Sequence, residues 1–339
     1  MPKVGSLHLR SGRQGRPPPT GQQQQPGSNR AVDPRQSRIG AKIGRQDVVD
    51  PMIWRTVAGC SFCRAFSGVV HGLFLAPHHL TGKLEYKMPE RARLFTQDDL
   101  SDGGVVELTA NQAHYLRNVM RFQPGETVAL FNGRDGEWRG RVAALGKARG
   151  QVEMEVRTRR QRDEPDLWLL FAPLKRGPMD ILVQKAVELG ASRLQPVLTE
   201  RVNSTRINTA RLTANAIEAA EQCERLTIPD ISAAVSLGEV LSGWPAGRRL
   251  WICAETGAST PVGEAFGGGQ IGGAGAILVG PEGGFVNNEL DVLNKLPFVT
   301  AVSLGPRILR AETAAMAALA CYQAVLGDWR LPPRAELDQ

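Results

Sequence analysis

From Asp166 to Leu326 the chain alternates between runs that suit a buried strand and runs that suit an amphipathic helix. This alternation constrains the fold most, because each helix must return the chain to the same edge of a sheet before the next strand begins. The strand-like run LWLLFAP precedes the helical run MDILVQKAVELG. In that helix Ile181, Leu182, Lys185, Ala186 and Leu189 fall near one face, and Gly190 ends it. LQPVLT is the next strand, followed by a helix from about Thr209 to Leu226. LWICAE, AILVG and AVSLG read as further strands, with helices near Asn288 to Leu296 and from Glu312 to Leu326. Repeated units of this kind predict an α/β fold with a mostly parallel sheet covered on both faces. Ligands of such sheets sit beyond the carboxyl ends of the strands.

The segment before it has a different rhythm. VVELT, ETVALF, EWRGRVAAL and QVEMEV are strand-like and are separated by Pro124-Gly125, by Asn132 to Gly136 and by Gly146 to Gly150. One helical stretch, Ala110 to Met120, interrupts them. Strands at this spacing predict a small barrel of roughly 65 residues.

Residues 1 to 50 are rich in Gln, Pro, Gly, Ser and Arg, and too poor in apolar side chains to offset the entropy of ordering, so disorder is expected there. The net charge of +7 is unevenly placed. Residues 1 to 87 hold 13 Lys and Arg against 4 Asp and Glu, whereas the remainder holds 28 against 30. Any polyanion must therefore be met on the core by local basic clusters. Regular pattern begins near Arg91, just after Met88, which suggests translation from Met88 or Met52; the alternative is a basic RNA-binding tail. The expected division is an extension over 1–87, a barrel over 88–160, the α/β domain over 161–330 and a tail over 331–339.

Five scattered cysteines argue for a reducing compartment and against a disulfide framework. Cys60 and Cys63 have C-x-x-C spacing, with His71, His78 and His79 downstream, but a zinc site needs four ligands at tighter intervals. They are read as two thiols, and no metal is expected. The apolar stretch Ala65 to Pro77 is too short to span a bilayer and is not read as a targeting signal.

Glycine motifs narrow the chemistry. AILVGPEGGF runs from a strand into Gly280, Pro281, Glu282, Gly283 and Gly284, with no P-loop lysine and with an acid that would repel a triphosphate. Gly267 to Gly272 matches G-x-G-x-x-G by letter but precedes a strand, so it is read as a connector. One unit later, AVSL leads into Leu304, Gly305, Pro306, Arg307, Ile308, Leu309 and Arg310, and then Glu312 and Thr313 open an Ala-rich helix. A glutamate in a first turn favours the helix dipole, yet Arg310 and Glu312 straddle a helix start beside a strand end, a placement that suits function.

GPEGGF, LGPRILRAETA, MDILVQKAVELG, EAAEQCERLTIPDI and PVLTERV together closely resemble the ribosomal small-subunit methyltransferase E family. The resemblance spans residues 91 to about 330. It implies a SPOUT-type trefoil-knotted methyltransferase domain preceded by a PUA-like RNA-binding barrel, the knot being a rare exception to unknotted topology. It further implies a cytoplasmic homodimer that uses S-adenosyl-L-methionine to methylate N3 of a uridine in 16S rRNA (uridine 1498 in the family), on the assembled small ribosomal subunit. By the same resemblance the cofactor positions are Ala254, Glu255, Gly280, Pro281, Glu282, Gly283, Gly284, Leu304, Gly305, Ile308, Leu309 and Thr313. Cys253 would then be a wall residue and not a nucleophile.

Uracil N3 carries a proton, so the reaction needs a base or a stabiliser of the charge that spreads to O2 and O4. Arg310 is the first choice for stabilising charge; Glu312 is a candidate for orienting it or taking the proton, and Glu282 is the alternative base. His114, in the barrel's helix, suits a surface or RNA contact. Candidate RNA contacts are Arg117, Arg121, Arg134, Arg139 and Arg141 in the barrel, and Lys175, Arg176, Arg201 and Arg206 in the α/β domain. The competing readings are a non-catalytic RNA-binding assembly factor and a SPOUT methyltransferase for another RNA.

Overall fold

The computed structural model describes residues 90–202, 207–254 and 259–332. The expectations placed on residues 1–87, on Glu255 and on Arg206 lie outside the described residues.

The first half of the described chain builds a five-stranded sheet from β1 (Arg93–Phe95), β2 (Val105–Leu108), β3 (Thr127–Phe131), β4 (Glu137–Leu145) and β5 (Gly150–Arg159). Its order is β1-β3-β4-β5-β2, antiparallel except where β1 lies parallel to β3. Alternation decides the inner face. Val106 and Leu108 on β2, and Val152 and Met154 on β5, join Leu94, Val128, Leu130 and Val142 in one core, and the residues between them face outward. Gly140 lies where the β4–β5 register shifts, and a Cβ there would come within 2.2 Å of the Met154 side chain.

Helix α1 (Ala110–His114) starts where Thr109 and Gln112 cap each other: Gln112 N donates to Thr109 Oγ1 at 3.3 Å and Thr109 N to Gln112 Oε1 at 3.0 Å. The sequence predicts a single helix to Met120, but Tyr115–Val119 widens into a π turn. That widening accompanies the burial of Leu116 and Phe122, with Phe122 N bonded to Leu116 O. β1 was not legible in the sequence, being only three residues long.

The second half alternates as expected: β6 (Leu167–Phe171), α2 (Arg176–Glu188), β7 (Arg193–Leu198), α3 (Thr209–Cys223), β8 (Asp230–Ile231), β9 (Val235–Ser236), α4 (Leu237–Ser242), β10 (Arg249–Cys253), β11 (Thr260–Pro261), α5 (Val262–Gly267), β12 (Gly275–Val279), α6 (Asn287–Asn294), β13 (Val299–Ser303) and α7 (Ala311–Val325). The sheet order is β11-β13-β10-β12-β6-β7-β8, with β9 beside β7, and every pairing is parallel. The α2, α3, α5 and α7 side of the sheet packs on Leu167, Leu169, Ile277 and Val279. The opposite side packs on Leu170, Leu250, Ala276 and Leu278. Both faces being covered, the central strands β6 and β12 are apolar from end to end, and β12 is buried along its whole length.

The sheet's amino edge is held by a buried cation. Arg248, 5% exposed, donates to Gly275 O at 2.9 Å, pairs with Asp166 and lays its guanidinium 3.7 Å from the Trp168 ring centre. Trp251, Phe266 and Tyr322 form an edge-to-face triad between sheet and helices.

The barrel docks on the end of α3. Arg93 donates to Ala220 O and Arg225 O, both at 2.7 Å, and pairs with Glu137 at 2.6 Å; Arg159 donates to Glu224 O at 2.8 Å. These arginines satisfy carbonyls that a helix end leaves open, and α3 stops at Cys223 with Glu224 at φ +60° instead of reaching Leu226. Because α3 leaves the carboxyl edge after β7 and runs back, the barrel docks near the amino edge of the sheet.

Candidate active site at the carboxyl edge of the sheet

All strands being parallel, the loops after β6, β7, β10, β12 and β13 emerge at one edge. The ends are level: Cys253 pairs with Val279 and Val302, and Val279 with Phe171. β13, β10 and β12 are neighbours, so Ala254, the 280–286 loop and the 304–310 loop stand side by side.

In the first of these glycine loops Gly280 and Pro281 are buried, and Gly284 N closes a turn on Pro281 O at 2.9 Å, with Gly284 at φ +68°. Glu282 and Gly283 are exposed on the turn and Gly284 is half-buried. The first glycine has a local cause: a Cβ at Gly280 would meet the ring of Phe285 at 2.9 Å. The loop's own phenylalanine, not a ligand, excludes a side chain there.

A tether crosses from the β7 loop. Arg201 Nη1 donates to Gly283 O at 2.7 Å, Glu200 N donates to Glu289 Oε1 at 2.9 Å, and Val286 N to Glu289 Oε2 at 2.9 Å. Arg201, read from sequence as an RNA contact, thus has one donor committed to the 280–286 loop. Glu289 was missed; its signal is an acid three residues into a helix, but the preceding cap is Val286 and the usual hydroxyl or carboxamide is lacking.

In the 304–310 loop Gly305 sits at φ +99° with open space where a Cβ would project. Leu304 and Leu309 pack against the core, whereas Ile308 is 82% exposed. Arg310 is the N-cap of α7 and makes no side-chain cap bond. Glu312 is half-buried on the first turn and Thr313 is exposed. The fold brings Glu282, Arg310 and Glu312 to the same edge: Glu282 follows β12, Arg310 and Glu312 follow β13, and these two strands flank β10. Burial, with Cys321 adding to it, pushes the Cys253 thiol up to about 12, so it stays neutral and is no nucleophile at physiological pH.

Lys175 and Arg176 are exposed at the start of α2, on this same edge as Arg201. The barrel arginines are elsewhere. Arg117 and Arg121 are exposed around the π turn, with Arg121 at φ +58°. Arg134 pairs with Asp99 and Asp135, and Arg139 and Arg141 converge on Glu155 at 3.3 and 2.6 Å. His114 is exposed, its Nδ1 2.8 Å from Asn118 Nδ2. Among the described residues no cluster of three or more His, Cys, Asp or Glu could hold a metal, and no helix is long and apolar enough to cross a membrane.

Residues 162–323 match the family described as RNA methyltransferase domain, and residues 108–155 the one described as RNA methyltransferase PUA domain. The chain is 31% identical over 234 residues to the ribosomal RNA small subunit methyltransferase E of Rickettsia conorii, covering 67% of this chain and 93% of that one. The chain belongs to the ribosomal RNA small subunit methyltransferase E family. The Synechocystis member is 32% identical, over 65% of this chain and 73% of its own. The crystal structure of the Neisseria gonorrhoeae member, bound to S-adenosyl methionine, superposes with a TM-score of 0.63 at 31% identity, covering 70% of this chain and 99% of that one. The α/β half is accordingly the SPOUT-type domain of methyltransferase E, and the five-stranded half its PUA-type domain.

Proposed function

We propose that the protein transfers the methyl group of S-adenosyl-L-methionine to N3 of one uridine of 16S rRNA, uridine 1498 in the family, on the assembled small ribosomal subunit. The observation that carries this reading is the alignment of three adjacent strand-end loops, 254, 280–286 and 304–310, at one edge. Their chemistry fits the cofactor. Gly284 and Gly305 leave open space beside the backbone, Leu304, Ile308 and Leu309 offer apolar surface to an adenosine, and Glu282 is compatible with a sulfonium but not with a polyphosphate. When bound, the cofactor supplies an electrophilic methyl group on a sulfonium.

The chain's own residues then have three tasks. Ala254, Glu255, the 280–284 turn, Leu304, Gly305, Ile308, Leu309 and Thr313 hold and orient the donor, since in-line transfer depends on alignment. Arg310 stabilises negative charge on the uracil oxygens, and Glu312 or Glu282 takes the N3 proton. Lys175, Arg176 and Arg201 approach RNA phosphates on the same edge, Arg206 is a further phosphate contact, and the barrel's Arg117, Arg121 and Arg134 contact RNA farther away. We assign residues 88–160 to RNA contact and 161–330 to chemistry, in a cytoplasmic homodimer whose three loops form a trefoil knot.

The test is nucleoside mass spectrometry of 16S rRNA from a deletion strain, together with methylation of its 30S subunits and free 16S rRNA by the purified protein. Loss of 3-methyluridine and its restoration on subunits are expected. Unchanged 3-methyluridine in the deletion strain overturns the reading.

A further inference from the structure

We propose that the barrel carries a nucleotide subsite of its own, a cleft that stacks one unpaired RNA base and grips its phosphates at a distance from the methyl-transfer edge. The proposal rests on the RNA-methylation reading above and names where a second part of that RNA is held.

The cleft has a volume of about 450 Å³, within the range of small-molecule sites. Trp138, Arg134, Asp135, Arg157, Arg160 and Gln161 line it. It exists because Gly136, at φ +84°, lets the 132–136 turn lie against the end of β5, where a Cβ would come within 2.2 Å of Arg159 O. The charges are unequal. Arg134 is held by Asp99 and Asp135, whereas Arg157 and Arg160 are exposed and have no ion-pair partner among the described residues. Two cations thus remain for an anionic ligand.

The other lining groups suit a base. Trp138 Nε1 already donates to Asp135 O at 3.1 Å, so what the indole offers the cleft is its aromatic surface. Gln161 Oε1 is buried without a hydrogen-bond partner in the structure, an acceptor suited to a base N–H. An aromatic ring, an amide acceptor and two guanidiniums match a single-stranded nucleotide better than an acidic peptide, which would use the arginines and leave the ring and the acceptor unused.

The test measures binding of a fluorescein-labelled single-stranded RNA decamer containing all four bases to the full chain, by fluorescence polarisation without cofactor. R157A/R160A is expected to weaken binding at least tenfold and to reduce the slope of log K against log salt by about 1.4, roughly 0.7 for each phosphate no longer neutralised. Trp138→Leu is expected to cost about fivefold or more, with Trp138→Phe retaining most of the affinity. Trp138 also packs on the barrel core, so melting curves check its variants, and the arginine pair carries the test if Trp138→Leu does not fold. Wild-type affinity and salt slope in R157A/R160A overturn the proposal. So does wild-type affinity in a folded Trp138→Leu, or displacement of the decamer by polyglutamate as readily as by unlabelled RNA. Neither cofactor nor turnover enters the measurement, so its failure is distinguishable from failure of the methylation assay.

Discussion

Arg201 and Gly283 are joined across the end of β6, the guanidinium of one loop holding the carbonyl of another at 2.7 Å. The bond links the β7 loop to the turn assigned to the methyl donor. Arg201→Ala is expected to loosen that turn and raise the S-adenosylmethionine Kd about fivefold, the equivalent of about 1 kcal/mol for one exposed charge-assisted bond. Calorimetric titration of the cofactor measures it; an unchanged Kd would mean the tether is incidental.

Gly280→Ala tests why the strand ends in glycine. The new methyl would meet the Phe285 ring at 2.9 Å, and overpacking of this kind costs about 1–3 kcal/mol. Denaturant unfolding should register the loss, and G280A/F285L should recover part of it. If the double variant is no better than the single one, Phe285 is not the cause.

Turnover of carboxamide variants separates the two acids. The residue that accepts the N3 proton is expected to lose about 10²–10⁴ in kcat on conversion to glutamine, the other far less. Arg310→Ala is expected to lose about 10²–10³ in kcat while retaining cofactor affinity. Full activity in both Glu282→Gln and Glu312→Gln would remove both from the mechanism.

Arg93→Ala strips three partners from the barrel's docking seam. It uncovers the carbonyls of Ala220 and Arg225 and leaves Glu137, 12% exposed, with Arg159 at 3.6 Å in place of its 2.6 Å partner. Breaking a buried pair from one side costs about 3–5 kcal/mol, so with Arg159 still beside Glu137 a loss near the low end, about 3 kcal/mol, is expected, and R93A/E137Q should recover part of it. Urea unfolding, with limited proteolysis between the two halves, provides the readout.

The pH dependence has a definite sign at Asp135. The Leu100 amide, and then the Asn132 side chain, hold this carboxyl below its usual range against the opposing effect of burial. A depressed folded-state pKa stabilises above the unfolded value of about 3.9, and the contribution is lost as pH falls through the folded value. The Tm difference between wild type and Asp135→Asn should therefore hold from about pH 7 to pH 5 and close below about pH 4.

Much of this architecture was legible from periodicity. β6 and β12 are continuous apolar runs and β10 and β13 mostly apolar ones, and α2 ends at Gly190, which adopts φ +77°, but its buried stripe is Met179, Leu182, Val183, Ala186 and Val187, shifted from the face read in the sequence so that Ile181 is exposed. The three loops could be located because each follows such a run. What escaped depends on distant partners. α3 ends at Cys223 because Arg93 and Arg159 reach it from far along the chain, and nothing local to Glu224 announces a left-handed cap. Gly280 reads as a ligand approach until Phe285 is seen folded beneath it. Arg201 reads as one more surface cation until Gly283 is placed opposite.

The docking of the barrel near the sheet's amino edge sets a length. Five residues of strand at about 3.3 Å each put roughly 17 Å of packed sheet between that edge and the loops at the other end. With Arg93 and Arg159 fixing the joint, the two halves of one chain keep that span as a caliper keeps its gap.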